Sequence, residues 1–136
     1  MEKSELKPAG VFHFLNDICQ VPRPAKKEEK IIDYLKAFGE KYNLETKVDE
    51  AGNVLIKKPA TPGKENLKTV ILQSHVDMVC EKNNDTEHDF LTDPIETEID
   101  GEWMKAKGTT QGADNGIGVA TELAILADDS IEHGPL

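Results

Sequence analysis

Two short segments of this chain carry side chains that could bind a metal ion. In the first, His75 and Asp77 directly follow a short apolar run. In the second, Asp114 stands in a glycine-rich turn, Gly112 to Gly118, at the start of a helical pattern. Imidazole nitrogens and carboxylate oxygens are ligands for zinc and similar cations. A cation held between the two segments is therefore the strongest functional prediction that the sequence supports.

The spacing of His75 and Asp77 suits such a site, because side chains two residues apart on a strand point to the same face. His75 could bind a metal through one ring nitrogen while Asp77 accepts a hydrogen bond from the other and fixes the tautomer. However, a His-x-Asp spacing often arises by chance, and a purely structural hydrogen bond is its more common explanation. The pair by itself leaves both interpretations open.

Asp114 also has two interpretations. Aspartate at a helix start often caps the free backbone N–H groups of the first turn. Alternatively, its two carboxylate oxygens could each bind one of two metal ions, as bridging carboxylates do in two-metal sites. The neighbouring glycines permit the tight turn that either role needs. The turn taken alone does not decide between them.

The surrounding pattern predicts an α/β fold, with a mixed twisted sheet and helices on both faces. Lys68–Ser74 is a continuous, largely apolar run, which is typical of a central strand covered on both sides. The carboxyl end of such a strand is where α/β folds bind ligands, and it would present His75. Hydrophobic periodicity and turn residues predict helices over 8–21, 26–42 and 115–127 and hairpins over 44–57 and 95–106.

Composition excludes several classes of function. The chain has 136 residues, enough for one compact domain, and a formal net charge of −10, which argues against nucleic acid and anionic membrane as partners. The first five residues form no apolar signal segment and no stretch has membrane-spanning length, so we expect a cytoplasmic protein. Cys19 and Cys80 lack metal-site spacing and are predicted to be reduced thiols.

Further motifs join the two acidic segments into a family resemblance. They are the 74–79 segment, the Lys-Asn-Asn-Asp-Thr loop at 82–86, Asp-Gly-Glu-Trp at 100–103 and the 112–118 turn. With these, essentially the whole chain resembles the aminoacyl-histidine dipeptidases, a bacterial branch of the dinuclear zinc peptidases that also includes tripeptidase T and the aminoacylases. The resemblance implies hydrolysis of short peptides, such as aminoacyl-histidine dipeptides, by a metal-activated water.

The resemblance also implies a role for each residue. His75 would be a ligand of one zinc ion, and Asp114 would bridge two, with a cis peptide bond between Asp114 and Asn115. Asp77 would be the catalytic residue that orients the site. Manganese or cobalt could replace zinc, since oxygen and imidazole ligands suit several metals. The implied partners are a dipeptide substrate and a second copy in a homodimer of the full-length protein.

In this family the general-base glutamate follows a Gly-Pro-Leu segment like 134–136. We therefore expect residues 1–136 to be the N-terminal portion of the catalytic domain, without the general base or the lid or dimerisation domain, and to be inactive alone. Two alternatives stay open. One is an aminoacylase-like amidohydrolase of the same architecture, and the other is a non-catalytic binding module in which Asp114 only caps a helix.

Overall fold

Helices and two hairpins alternate along the part of the chain that the structure describes. The computed structural model describes residues 5–136; residues 1–4, which bear on the prediction about a signal segment, lie outside it. The elements are α1 (Ala9–Cys19), α2 (Glu29–Lys41), β1 (Glu45–Val48), β2 (Val54–Lys57), β3 (Thr97–Asp100), β4 (Trp103–Ala106) and α3 (Ala113–Ala127).

The core lies between α1 and α3, with α2 and the β1–β2 hairpin beside them. Phe14, Leu15 and Ile18 recur at helical spacing and are all buried, which confirms the predicted apolar face of α1. The rings of Phe14 and Phe38 meet edge to face at 5.6 Å and connect α1 to α2. The other buried apolar side chains are Cys19, Ile31, Leu35, Met78, Ile95, Val119, Ala120 and Leu123.

Both predicted hairpins are present. β1 pairs antiparallel with β2, and β3 pairs antiparallel with β4. In the first turn the Asp49 carboxylate accepts hydrogen bonds from the Ala51 and Asn53 N–H groups, while Gly52 adopts a positive φ of 86°. The α/β class is confirmed, but within residues 5–136 the named strands form two separate hairpins rather than one mixed sheet.

The predicted central strand at Lys68–Ser74 is wrong for the described structure. These residues have no regular secondary structure, and Ile71 is 83% exposed. A backbone hydrogen bond from Val70 N–H to Pro135 O holds the stretch. A central strand needs ladder partners along both edges, and a run of β-branched residues cannot supply those partners itself. The candidate site therefore follows an irregular stretch and not the end of a buried strand.

Two smaller predictions concern the cysteines and the membrane. Cys19 is buried and Cys80 is half-buried, and both are reduced thiols outside any disulfide, as predicted. Among residues 5–136, no helix combines the length and the apolar character needed to cross a bilayer.

Candidate metal centre

The structure brings the two predicted segments together. His75 and Asp114 are 39 positions apart in the sequence, yet the Nε2 atom of His75 lies 3.2 Å from Oδ1 of Asp114. The other ring nitrogen, Nδ1, lies 3.0 Å from Oδ1 of Asp77. The imidazole is thus held between two carboxylates, one at each nitrogen. The predicted convergence of the three side chains is confirmed.

This arrangement makes the site favour positive charge. Hydrogen bonding to Asp114 has the largest effect and raises the pKa of His75 above its ordinary value. Burial opposes this rise, and hydrogen bonding to Asp77 adds a smaller increase. A protonated ring can donate to both carboxylates at once, whereas a neutral ring can donate to one. A metal ion on Nε2 would replace that second proton with another cation. The two carboxylates therefore favour a positive charge at the imidazole.

The helix-capping interpretation of Asp114 is wrong. The residue that precedes α3 is Gly112, and no side chain caps the helix N-terminus. Asp114 and Asn115 have non-helical backbone angles and are joined by a cis peptide bond, as the family resemblance implied. The Asp114 side chain is 98% exposed, and its carboxylate contacts His75. The turn therefore presents this carboxylate to the site instead of to the backbone of the helix.

Other residues, which the sequence analysis did not single out, fix the His75 segment in place. The buried Met78 donates its backbone N–H to Arg23 O over 3.0 Å. On the other side of His75, Ser74 Oγ donates to Glu122 Oε2 of α3 over 2.7 Å. Glu122 could have been noticed as an acid within the apolar pattern of α3. Arg23 gave no such signal, because its flanking prolines indicated only the end of a helix.

The donor set is only part of a complete metal site. In the described range 5–136, no group of three or more His, Cys, Asp or Glu side chains is arranged to hold a metal ion. Catalytic zinc usually has three protein ligands and structural zinc four. Asp77 is engaged at Nδ1 of the imidazole, which leaves His75 Nε2 and the Asp114 carboxylate as the groups that would hold a metal ion. These residues fit a metal ion in type and placement, but further ligands are needed.

An open groove of about 1170 Å³ runs up to the candidate site. His75, Asp77 and the α3 residues Leu123 and Leu126 are among the residues that line it. The irregular stretch 69–74 also lines the groove, and its apolar residues Val70, Ile71 and Leu72 are exposed. The candidate site therefore borders a large and partly apolar surface.

Known proteins match nearly the whole chain. It is 51% identical over 135 residues to the cytosol non-specific dipeptidase of Escherichia coli (strain K12). This match covers 99% of this chain and 28% of that protein. The crystal structure of aminoacylhistidine dipeptidase from Vibrio alginolyticus matches with a TM-score of 0.96 and 53% identity, over 99% of this chain and 28% of that one. The structure of aminopeptidase PepT from Bacillus cereus matches with a TM-score of 0.74 and 21% identity, over 93% of this chain and 34% of that one. No protein-family model matches the chain.

The fold is therefore one that dipeptidases and aminopeptidases share, and the PepT likeness supports the fold alone. More particularly, the chain is similar over its own length to an aminoacylhistidine dipeptidase and to a cytosol non-specific dipeptidase. The family resemblance predicted from the motifs is confirmed. The chain spans about 28% of the length of these two relatives.

Proposed function

We propose that this chain is part of a metal-dependent dipeptidase, and that it forms the N-terminal portion of the catalytic domain. The observation that carries the proposal is the 3.2 Å approach of His75 Nε2 to Asp114 Oδ1. The 51% identity to a dipeptidase supports the same reaction class. Below, the whole protein means a chain of the relatives' length that contains these 136 residues.

In this proposal His75 and Asp114 are metal ligands. His75 would bind one ion through Nε2. Asp114 would bridge two ions, since its exposed carboxylate has a second oxygen beyond the one facing His75. Zinc is the proposed metal, and manganese and cobalt suit the same ligands. When bound, such ions polarise the peptide carbonyl and lower the pKa of a water molecule.

Asp77 acts through His75. Its carboxylate lies 3.0 Å from Nδ1 and would accept a hydrogen bond from the neutral ring. That bond places the proton on Nδ1 and leaves the Nε2 lone pair directed at the metal position. Asp77 would thus orient the ligand and raise its basicity. The general base that accepts the proton of the attacking water is proposed to lie outside these 136 residues.

We propose short peptides as substrates, aminoacyl-histidine dipeptides among them. The names of the two relatives differ in breadth, one being a non-specific dipeptidase and the other an aminoacylhistidine dipeptidase. A panel of dipeptides with and without a C-terminal histidine distinguishes these two preferences. N-acyl amino acids in the same panel test the aminoacylase-like alternative. A cytoplasmic location is proposed because the Escherichia coli relative is named for the cytosol.

The proposal is tested by measuring metal content and peptide hydrolysis together. After purification in zinc, the whole protein should hold two metal ions and hydrolyse dipeptides, and a chelator should abolish the activity. Residues 1–136 alone should show no hydrolysis, because two protein ligands do not complete a catalytic zinc site.

The outcomes separate the alternatives. Dipeptide hydrolysis by residues 1–136 alone would refute the proposal that the general base and further metal ligands lie outside these residues. A whole protein that binds no stoichiometric metal would support the non-catalytic module instead. Hydrolysis that a chelator leaves unchanged would refute the metal dependence.

A further inference from the structure

The connection between α1 and α2 contains a charged side chain that is almost completely enclosed. Arg23 is only 2% exposed and is among the largest fully buried side chains of the described residues. Charged side chains are rarely buried unless their donors are satisfied, because leaving water is costly for an ion. Burial accordingly lowers the pKa of Arg23, while Cys19, Cys80 and Asp77 act in the opposite direction. The burial of this charge therefore needs a structural explanation.

The guanidinium joins the two segments of the candidate metal centre. Nη1 donates to Val76 O over 3.1 Å, and Nη2 donates to Gly112 O over 2.9 Å. Val76 lies between His75 and Asp77, and Gly112 lies two residues before Asp114. The two hydrogen bonds therefore reach the backbone of both segments at positions one and two residues from the proposed ligands.

The backbone around Arg23 is shaped to admit this side chain. A Cβ atom added at Gly112 would lie 2.6 Å from Nη2, and one added at Gly116 would lie 2.9 Å from it. Both separations are too short for real contacts, so any larger residue there would displace the guanidinium. The carbonyl of Arg23 adds a third connection by accepting the Met78 N–H over 3.0 Å.

We propose that Arg23 is a positioning residue that holds His75 and Asp114 at ligand distance by fixing both carbonyls with one planar guanidinium. Its role in metal binding rests on the proposed function, whereas its role in holding the two segments together does not. Lysine cannot replace it fully, because an ammonium group is a point donor without the fixed fork of the guanidinium. Groups that orient metal ligands typically contribute 10–100-fold to metal affinity.

Lys58 offers a matched control. It is the other buried cation of the described residues, at 9% exposed. Its Nζ donates to Leu126 O over 2.9 Å and to Asp128 O over 3.0 Å, at the C-terminal end of α3, and also to the exposed carboxylate of Asp129 over 3.1 Å. Lys58→Met therefore removes a buried cation bonded to carbonyls, as Arg23→Met does, but away from His75 and Asp114.

The first experiment compares amide hydrogen exchange, by mass spectrometry, in the metal-free whole protein and its Arg23→Met and Lys58→Met variants. Arg23→Met should accelerate exchange in peptides covering 74–78 and 112–116. Lys58→Met should accelerate exchange near 126–129 and leave those two peptides unchanged. Arg23→Lys, which keeps the charge, should exchange in these peptides at a rate between those of the parent and Arg23→Met. It serves as the second variant if Arg23→Met does not fold.

The second experiment measures Co²⁺ affinity and the visible spectrum of the Co²⁺-saturated whole protein. Arg23→Met should weaken Co²⁺ binding about 10–100-fold and alter the spectrum, because groups that hold the metal ligands in place set their orientation. Lys58→Met should match the parent in both measurements.

Each experiment can refute one proposal without affecting the other. The proposed positioning role would be overturned if Arg23→Met exchanged at the rate of the parent protein in both peptides, 74–78 and 112–116. If Arg23→Met does not fold, the same result in Arg23→Lys would overturn it. Lack of Co²⁺ binding by the parent would instead overturn the proposed metal function, and the exchange data would still decide the role of Arg23.

Discussion

Gly112→Ala should destabilise the protein more than alanine at other glycines of similar backbone conformation. Gly112 has a φ of +70°, and an added Cβ would lie 2.6 Å from Arg23 Nη2 and 2.8 Å from Met78 Cβ. The left-handed conformation costs an L-residue about 1–2 kcal/mol. Forcing extra volume against packed neighbours typically costs a further 1–3 kcal/mol or so. The expected loss is therefore about 2–5 kcal/mol in the free energy of unfolding.

Gly63 and Gly101 provide the control for backbone strain. Their φ angles are +84° and +61°, and an added Cβ would meet no atom within 4 Å at either position. Alanine there should cost only the conformational penalty, about 1–2 kcal/mol. Any gain from a stiffer unfolded chain is shared by all three variants and cancels in the comparison.

Urea unfolding followed by circular dichroism measures these differences, provided that the dependence of the free energy on urea has the same slope in each variant. Gly112→Ala should unfold at a clearly lower urea concentration than Gly63→Ala and Gly101→Ala, by an amount equivalent to about 1–3 kcal/mol. Equal midpoints for all three would show that the guanidinium does not fill the space beside Gly112, and would refute the packing described here.

Two further predictions concern the side chains around the imidazole. In the metal-free protein, NMR titration should give His75 a pKa above its ordinary value, and Asp114→Asn should lower that pKa more than Asp77→Asn, because Asp114 contributes most to the shift. Since the pKa of His75 is raised in the folded state, the stabilisation from these contacts should be complete below the unfolded pKa of about 6.5 and be lost as pH rises through the folded value. A His75 pKa that neither variant changes would contradict the role of these carboxylates. Asp77→Ala in the whole protein should retain its metal ions but turn over more slowly, which a metal count and a rate measured side by side can check. Loss of both ions would contradict this prediction.

Local elements of the fold could be predicted from the sequence because their signals are local. The spacing of Phe14, Leu15 and Ile18 predicted the buried face of α1, and Asp100 with Gly101 predicted the second hairpin. The strand predicted at Lys68–Ser74 failed because a strand depends on partners elsewhere in the chain. Its apolar residues line a groove instead.

The convergence of the site's side chains was predictable, whereas the scaffold that holds them was not. His75 and Asp114 could be identified from residue type, glycine pattern and family resemblance, and the structure places them 3.2 Å apart. Arg23 could not be identified, because its partners are the backbone carbonyls of Val76 and Gly112. Carbonyl acceptors are present at every residue, so no pattern in the sequence marks which of them a buried arginine will meet.

The most direct test of the account is the metal content of the whole protein carrying Asp114→Ala, measured by atomic emission beside the parent and the Asp77→Ala variant. Because Asp114 is proposed to bridge both ions, this variant should contain neither, while Asp77→Ala keeps both. Two ions per chain in Asp114→Ala would contradict the assignment of this carboxylate as the shared ligand.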